Sequence, residues 1–386
     1  MLPRAPIRRP LVTVVVAAYD AGEYIGAALA SLCRQTVDDI EVVVVDDGST
    51  DSTSRTVQLA ARRDGRVRLV RLRQNRGQAA ALNVGAEQAR GRYLAILDAD
   101  DVATPARLAH QLASLEKDRG LVLVGGAVEP FCDRYRAAGK VWRYASDDAS
   151  IRVMSLFRSE FISGAMTFDR EQLVKHHLRF DERRRLGADW AMSIEAMRVG
   201  RVANVDRVIM RYRIHPGQLT TQMMDDVTSD SARIRREALA WLGVRPTDEE
   251  LRTHLAISPC NYWPFGAHPY FRERRASIAR EAGRWFDRLR TAAALTGRVS
   301  TTALSAFLDE LAALIAERLS TSDEAPRQDA PYCPVAYPRA CVAERLPLAL
   351  GCRATAERPR RPGPGLHLTT SRTAPPKPTA STKRTT

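Results

Sequence analysis

The sequence lacks any apolar run long enough to span a bilayer. Its longest candidates, residues 11–18 and 121–128, fall far short of the roughly 18–20 residues that a membrane helix needs. Residues 1–10 contain arginines, but no separate apolar segment and no small-residue cleavage site, so we expect no secretory signal. The six cysteines form no C-x-x-C pair, which is typical of thiols in a reducing compartment and argues against a metal cluster. These absences predict a cytoplasmic protein that is not integral to a membrane.

Acidic residues are scarce at the two ends of the chain. The whole sequence carries 59 Lys and Arg against 45 Asp and Glu, a formal net charge of +14. Residues 326–386 contain eleven of these basic residues and only three acidic ones, and residues 1–10 contain three arginines and no acid. Such an excess is typical of proteins that bind nucleic acid or anionic membranes, but the tail has almost no aromatic residues for base stacking. We therefore expect no specific nucleic-acid binding, and a weak peripheral contact of the tail with the inner membrane face.

Apolar, β-branched runs alternate with helical patterns between residues 11 and 128. The chain has 386 residues, 45% of them apolar and 27% charged, as in ordinary globular proteins of two or three domains. Continuous apolar strands separated by helices predict an α/β fold, a mostly parallel sheet with helices on both faces. The predicted strands are 13–19, 41–46, 67–72, 93–97 and 121–128, and the predicted helices are 23–34, 53–63, 77–89 and 105–117.

The alternation ends near residue 128, and the composition changes again near residue 322. Short strands and loops follow, with a predicted helix over 190–199, and then helical apolar spacing. The last segment holds eleven of the 21 prolines and cannot bury enough apolar surface to order itself. We therefore divide the chain into a basic arm (1–10), an α/β half (11–128), a second half (129–220), a helical C-terminal extension (221–321) and a disordered tail rich in Pro, Arg and Thr (322–386).

Acidic residues cluster where two of the predicted strands end, and parallel sheets bind ligands at that edge. Asp98 and Asp100 follow the strand YLAIL and project to the same side of an extended backbone. Two such oxygen ligands suit Mg²⁺ or Mn²⁺, whose shell substrate phosphates complete. Alternatively, an acid here, together with Thr104, caps the helix predicted from Pro105. Capping explains one acid, whereas this strand is followed by three.

A second acidic loop, D-D-G-S-T-D over residues 46–51, closes the strand before it. An acid at this place in a sheet accepts hydrogen bonds from a ribose or a base, which is the role we consider for Asp46 and Asp47. The other interpretation is a turn that leads to a helix capped by Asp51 or Ser52. Both interpretations hold together if Asp51 caps while Asp46 or Asp47 faces the ligand.

Four segments in order carry a resemblance to a known family. They are VVVAAYD, VVDDGSTD, NRGQAAALNVGAEQARG and YLAILDADD, followed by FDERRRLGADW and YRIHPG. Together they resemble the family-two glycosyltransferases over about residues 11–217. That resemblance implies a GT-A fold, a nucleoside-diphosphate sugar donor, inverting transfer to a saccharide or lipid-linked saccharide, Mn²⁺ or Mg²⁺ as cofactor, and a role in cell-surface polysaccharide synthesis. It makes residues 11–128 the donor-binding half and 129–220 the acceptor half.

The resemblance also implies roles for individual residues. Ala17 and Tyr19, expected on the loop after the first strand, resemble nucleobase contacts; Asp47 resembles the acid that binds the base, and Arg76 a further nucleotide contact. In the D-x-D signature, Asp98 is associated with the ribose and Asp100 with the metal and diphosphate. His215 resembles a histidine near the metal or pyrophosphate, although a structural role in the turn before Pro216 explains it too. The candidate residues are therefore Ala17, Tyr19, Asp46, Asp47, Arg76 and Asp98 for the nucleotide, and Asp98, Asp100 and His215 for the metal.

Asp189 is the candidate catalytic base. Inverting transfer is a single displacement, in which one carboxylate opposite the leaving group takes the proton of the acceptor hydroxyl. The family usually has Glu before this residue, whereas Ala188 stands here and removes a second acid that could hold an acceptor. The alternative is that Asp189 is the N-cap of the helix from Trp190.

Two other classes of protein share parts of this pattern. A sugar-1-phosphate nucleotidyltransferase also combines an α/β fold with metal-binding acids, but usually has a Gly-rich loop that VVVAAYDAGEY lacks. A nonspecific nucleic-acid-binding protein is the third class that the net charge suggests. The aromatic segment 260–265 lines an acceptor groove or, alternatively, fills the space between the helical extension and the sheet.

Overall fold

The computed structural model describes residues 9–132, 141–218, 224–259 and 268–320. Most of the predicted basic arm, the aromatic segment 260–265 and the predicted tail lie outside these residues. Among the helices described, none is both long and apolar enough to cross a membrane.

Eight strands form one mixed sheet in the described part of the chain. Their order across the sheet is β3-β2-β1-β4-β7-β6-β8-β5, and the pairs β1–β2, β1–β4, β2–β3 and β6–β8 are parallel. β7 is antiparallel to both β4 and β6, and β5 is antiparallel to β8. The strands are β1 (Val12–Ala18), β2 (Ile40–Asp46), β3 (Val67–Arg71), β4 (Tyr93–Ile96), β5 (Val102–Ala103), β6 (Leu121–Phe131), β7 (Thr167–Asp169) and β8 (Arg201–Arg213).

Twelve described helices flank the sheet or follow it. The predicted α/β fold with a mostly parallel sheet is confirmed, because four of the seven strand pairings in the described part of the chain are parallel. The strands β1 and β2 are valine-rich runs buried on both faces, as parallel strands usually are. The helices are α1 (Ile25–Cys33), α2 (Thr53–Arg63), α3 (Gln78–Glu87), α4 (Arg107–Lys117), α5 (Asp148–Met154), α6 (Arg170–Lys175), α7 (Ala188–Val199), α8 (Met224–Leu242), α9 (Asp248–Ile257), α10 (Pro269–Glu273), α11 (Ile278–Thr296) and α12 (Thr301–Ser320).

The beginnings of two helices differ from the prediction. α4 begins at Arg107 after Ala106, with no side-chain cap, and Thr104 instead donates its hydroxyl to the carbonyl oxygen of Val208. The capping alternative for the acids before this helix is therefore wrong. α7 has Gly187 at its N-cap, so Asp189 lies inside the first turn and is not the cap.

One hydrophobic core joins the sheet to the helical extension. The same cluster contains Val15 of β1, Leu123 of β6, Trp190 of α7, Trp285 of α11 and Phe307 of α12. Burying each side chain of this size contributes roughly 1.5–3 kcal/mol, so the helices after residue 224 pack as an integral layer on the sheet. A second cluster fills the opposite face, beneath α1 and α4.

Candidate active site

The strands β1, β2 and β4 are parallel, so their carboxyl ends meet at one edge of the sheet. The loops that follow β1 and β2 are joined by hydrogen bonds. The backbone N–H of Asp20 donates to the hydroxyl of Ser49 at 3.0 Å, and Asp20 in turn accepts from the N–H of Thr50 at 2.8 Å. Asp51 accepts from the N–H of Gly22 at 2.8 Å. These hydrogen bonds between five residues hold the two loops together as one platform.

Tyr19 is the first residue after β1, and its side chain is 51% exposed at this edge. A half-exposed aromatic ring there offers a flat apolar face on which a base can stack. Ala17 was expected on this loop as well. It lies instead inside β1, where it pairs with Val45 of β2.

Asp46 is fully buried. Its carboxylate accepts a hydrogen bond from the N–H of Ser49 at 2.9 Å and another from the hydroxyl of Ser54. The prediction of a nucleotide contact at Asp46 is therefore corrected: this side chain closes its own loop and has no surface open to a ligand.

Asp47 joins the end of β2 to the start of α3. Its two oxygens accept the backbone N–H groups of Arg76 at 2.9 Å and Gly77 at 2.8 Å, and burial raises the pKa of this carboxyl. The close approach requires glycine at position 48, where φ is +79° and a Cβ would lie 2.7 Å from the carbonyl carbon of Gln74. Asp47 thus fixes the loop that carries Arg76 at the carboxyl edge of the sheet.

Arg76 also contacts the segment that leads to the candidate base. Its guanidinium donates to Glu182 at 3.1 Å, and the amide of Asn83 donates to the same carboxylate at 3.0 Å. The side chain of Asn83 exchanges two further hydrogen bonds of 2.9 Å with the backbone of Phe180. Arg76 and Asn83 therefore hold residues 180–182, which lie almost 100 residues further along the chain, against the start of α3.

Asp98 contacts residues 163–164, a short segment that the sequence analysis did not single out. Its Oδ1 accepts from the amide of Gln78 at 2.9 Å and from the hydroxyl of Ser163 at 3.3 Å. Its Oδ2 accepts from the backbone N–H of Gly164 at 3.1 Å. A Cβ on Gly164 would lie 3.0 Å from Asp98, so glycine permits this approach.

Asp189 approaches the same segment, because the backbone N–H of Ser163 acts on its carboxylate. Its Oδ1 accepts from the backbone N–H of Trp190 at 2.8 Å. Burial raises the pKa of Asp189, and the N–H groups of Trp190 and Ser163 act in the opposite direction. A carboxylate whose pKa is raised is a stronger base than one in water, which suits proton abstraction.

The carboxylates of Asp98, Asp100 and Asp189 lie close enough to interact electrostatically at this edge of the sheet. Burial, followed by the charges of Asp100 and Asp189, raises the pKa of Asp98 to about 7. Like charges at this edge favour a shared proton or a bound cation, either of which relieves the repulsion between the three carboxylates.

Asp100 contacts the histidine of the YRIHPG segment. The distance between its Oδ2 and the Nε2 of His215 is 3.0 Å. The imidazole packs against Tyr24, with ring centroids 4.5 Å apart, and the backbone N–H of His215 donates to Gln218 at 3.1 Å. The structure thus brings two of the three predicted metal ligands together.

Arg213 is a further site residue that sequence reasoning missed. Its Nε donates to the carbonyl oxygen of Asp100 at 2.7 Å, and its backbone N–H donates to the carboxylate of Asp101 at 2.9 Å. The guanidinium lies 5.1 Å from the ring centre of Tyr24 and 4.6 Å from that of Phe131. The only sequence signal was its position in the quoted YRIHPG segment.

The donor set fits a hard divalent cation with two protein ligands. Among the residues described, no three His, Cys, Asp or Glu side chains converge as a ready-made metal cluster, and the oxygens of Asp98 are engaged by Gln78 and by residues 163–164. Asp100 and His215 would supply one oxygen and one nitrogen ligand. Mg²⁺ and Mn²⁺ commonly bind through one or two side chains, waters and substrate phosphates, so this pair suffices where a diphosphate completes the shell.

The sheet and the acidic residues at its carboxyl edge define a GT-A-type α/β fold. The crystal structure of S. aureus TarS 1–349 in complex with UDP-GlcNAc matches with a TM-score of 0.50 and 18% identity, over 80% of this chain and 89% of that one. A profile described as Glycosyl transferase family 2 matches residues 13–178. The succinoglycan biosynthesis protein ExoO of Rhizobium meliloti is 34% identical over 271 residues, 65% of this chain and 76% of ExoO.

An uncharacterized glycosyltransferase of Haemophilus influenzae is 27% identical over 240 residues, 60% of this chain and 74% of that protein. The chain belongs to glycosyltransferase family 2, and it is a glycosyltransferase. This membership confirms the resemblance and excludes the nucleotidyltransferase and the nucleic-acid-binding protein as its class.

Proposed function

We propose that the protein transfers a sugar from a nucleoside-diphosphate sugar to an acceptor hydroxyl with inversion, assisted by Mn²⁺ or Mg²⁺. The observation that carries this proposal is that candidate acids from distant parts of the chain meet at residues 163–164. Asp98 accepts the backbone N–H of Gly164 at 3.1 Å, Asp100 contacts His215, and the backbone N–H of Ser163 acts on the carboxylate of Asp189. Inverting transfer needs one carboxylate that serves as base while others serve the leaving diphosphate, and Asp189 is our candidate for that base.

The side chains divide the work of the reaction. Tyr19 stacks on the nucleobase of the donor. Asp47 and Arg76 lie at the nucleotide end of the site, and Asp98 binds the ribose. Asp189 takes the proton from the acceptor hydroxyl as that oxygen attacks the anomeric carbon. A divalent cation held by Asp100 and His215 would supply Lewis-acid neutralisation of the charge on the departing diphosphate.

The acceptor is a saccharide or a lipid-linked saccharide in polysaccharide synthesis. Support comes from the relative ExoO, which is described as a succinoglycan biosynthesis protein. TarS, which is similar in fold, was crystallised with UDP-GlcNAc, a donor of the proposed class. For the basic tail we propose the weak membrane contact expected above, to be tested by vesicle binding of a chain ended near residue 321.

A donor screen tests the proposal directly. Thermal unfolding would be followed with UDP-, GDP- and dTDP-sugars, each with and without Mn²⁺ or Mg²⁺, and release of the nucleoside diphosphate would then be measured. We expect one donor class to stabilise the protein only with metal, and Asp189→Ala and Asp100→Ala each to abolish release. Asp287→Ala is the matched control, because this acid is exposed on α11 and pairs with Arg290 of the same helix. Metal-independent results for every donor, or wild-type release by Asp189→Ala, would contradict the proposal.

A further inference from the structure

We infer that helix α8 positions the catalytic base. Three of its residues, Ile234, Arg235 and Glu237, contact the chain on both sides of Asp189. The helix lies outside the matched segment 13–178, so the family match assigns it no role. This inference rests on the proposed function, in which Asp189 is the base.

The first contact is an ion pair between Arg184 and Glu237 of α8. The side chain of Arg184 is only 7% exposed, and its Nη2 donates to both carboxylate oxygens of Glu237, at 2.7 and 2.6 Å. Its Nε donates to Asp181 at 3.2 Å. Removing Glu237 would leave a buried guanidinium without its main partner, which forces the segment 181–187 to rearrange.

The second contact is a close backbone approach directly before α7. Gly187 has a φ of +67°, and a Cβ on it would lie 2.2 Å from the Cδ1 of Ile234, which is itself buried. Only glycine lets the chain pass this close to α8 in the left-handed conformation. The backbone two residues before Asp189 therefore rests on α8.

The third contact holds the residue after the base. The guanidinium of Arg235 lies 5.0 Å from the ring centre of Trp190, and its Nε donates to the carbonyl oxygen of Phe157 at 2.8 Å. The indole of Trp190 donates to the carbonyl oxygen of Ser155 at 3.2 Å. Arg235 thus ties the start of α7 to the segment 155–157 beneath it.

These contacts act on positions 184, 187 and 190, which bracket Asp189. The donor residues lie on the loops after β1, β2 and β4 and are held by hydrogen bonds of their own. Arg76 also pairs with Glu182, but its backbone N–H is fixed by Asp47. A displacement of about 1 Å in a reacting group can cost about 100-fold in rate. A defect in α8 should therefore lower kcat and leave nucleotide affinity unchanged.

The test compares two neighbours on α8. Glu237→Ala breaks the pair with Arg184, whereas Arg236→Ala breaks an exposed pair of 3.0 Å with Asp248 and is the control. For Glu237→Ala we expect kcat for nucleoside diphosphate release to fall about tenfold, and the affinity for UDP with Mn²⁺, measured by calorimetry, to stay within about twofold. Glu237→Gln, which keeps a hydrogen-bond acceptor, should recover part of the lost rate.

The outcomes separate this inference from the proposed function. If Asp189→Asn is inactive but Glu237→Ala behaves as Arg236→Ala does, the positioning role is wrong and the base assignment stands. If Asp189→Asn retains wild-type activity, the base assignment itself is wrong. A parallel loss of kcat and UDP affinity in Glu237→Ala would overturn positioning in favour of a general structural role. If Glu237→Ala does not fold, Glu237→Gln decides by the same two measurements.

Discussion

The fully buried imidazole of His254 predicts a specific loss of stability in acid. His254 is in α9, where its Nε2 lies 2.9 Å from the carbonyl oxygen of Leu156 and its Nδ1 accepts from the indole N–H of Trp285 at 3.1 Å. Because Nδ1 accepts, the ring is the neutral tautomer with its proton on Nε2. Burial, and then the charge of Arg235, lower the pKa of His254 to about 3.

The magnitude follows from the difference between the folded and unfolded pKa values. The unfolded imidazole titrates near 6.5, so between pH 6.5 and pH 3 the unfolded chain binds a proton that the folded chain does not. The stabilisation is complete above pH 6.5 and is lost as the pH falls. At about 1.36 kcal/mol per pH unit, the loss is roughly 2 kcal/mol at pH 5 and on the order of 5 kcal/mol below pH 3.

Urea unfolding of the wild type and of His254→Gln at pH 7.5, 6 and 5 measures this effect. The other titrating groups are common to both proteins, so their difference in free energy of unfolding isolates the imidazole. We expect that difference to shift by roughly 2 kcal/mol against the wild type between pH 7.5 and pH 5. The exposed His110 on α4, replaced by Gln, is the control for removal of a histidine from the surface. A difference that does not change with pH would refute the assigned tautomer and the lowered pKa.

Three further predictions concern the site. Asp100→Asn removes a charged ligand and should weaken Mn²⁺-dependent UDP binding at least about tenfold without changing metal-free binding; equal calorimetric affinities would exclude Asp100 as a ligand. Gly187→Ala should lower the free energy of unfolding by roughly 1–3 kcal/mol in urea, from the positive φ and the contact with Ile234, and wild-type stability would contradict that geometry. Because burial raises the pKa of Asp189, and the base must be ionised, the acidic limb of kcat/KM should lie above the ordinary Asp range; activity that stays level down to about pH 4 would argue against Asp189 as the base.

Local patterns predicted the strands well because buried parallel strands have few acceptable residues. β1 and β2 are valine-rich runs, and their observed bounds differ from the predicted ones by one residue. The rule that ligands bind at carboxyl ends then placed Asp47 and Asp98 at one edge of the sheet. The adjacent acids 46 and 47 could not be told apart by spacing, and the structure corrects Asp46, whose carboxylate closes its own loop.

Contacts between distant segments were beyond the reach of pattern reasoning. The segment 163–164 has no periodicity and no charge, yet its N–H groups contact both candidate acids, because β7 brings it beside β4 in an antiparallel pairing. Gly187 could not be recognised as a cap, since its positive φ depends on packing against α8. Arg213 and Glu182 act through partners about 100 residues away.

The two halves of the proposed reaction differ in the balance of backbone and side-chain bonds that hold them in place. Around the nucleotide end, carboxylates such as Asp47 and Asp98 accept backbone N–H groups, whose positions follow from the sheet and its loops. Around Asp189, the segment is held by side-chain pairs, among them Arg184 with Glu237 on a helix beyond the matched segment. Backbone contacts tolerate substitution of the donating residue, whereas a side-chain pair is lost with either partner. The donor end can therefore keep its geometry while changes in α8 alter how the base meets the acceptor.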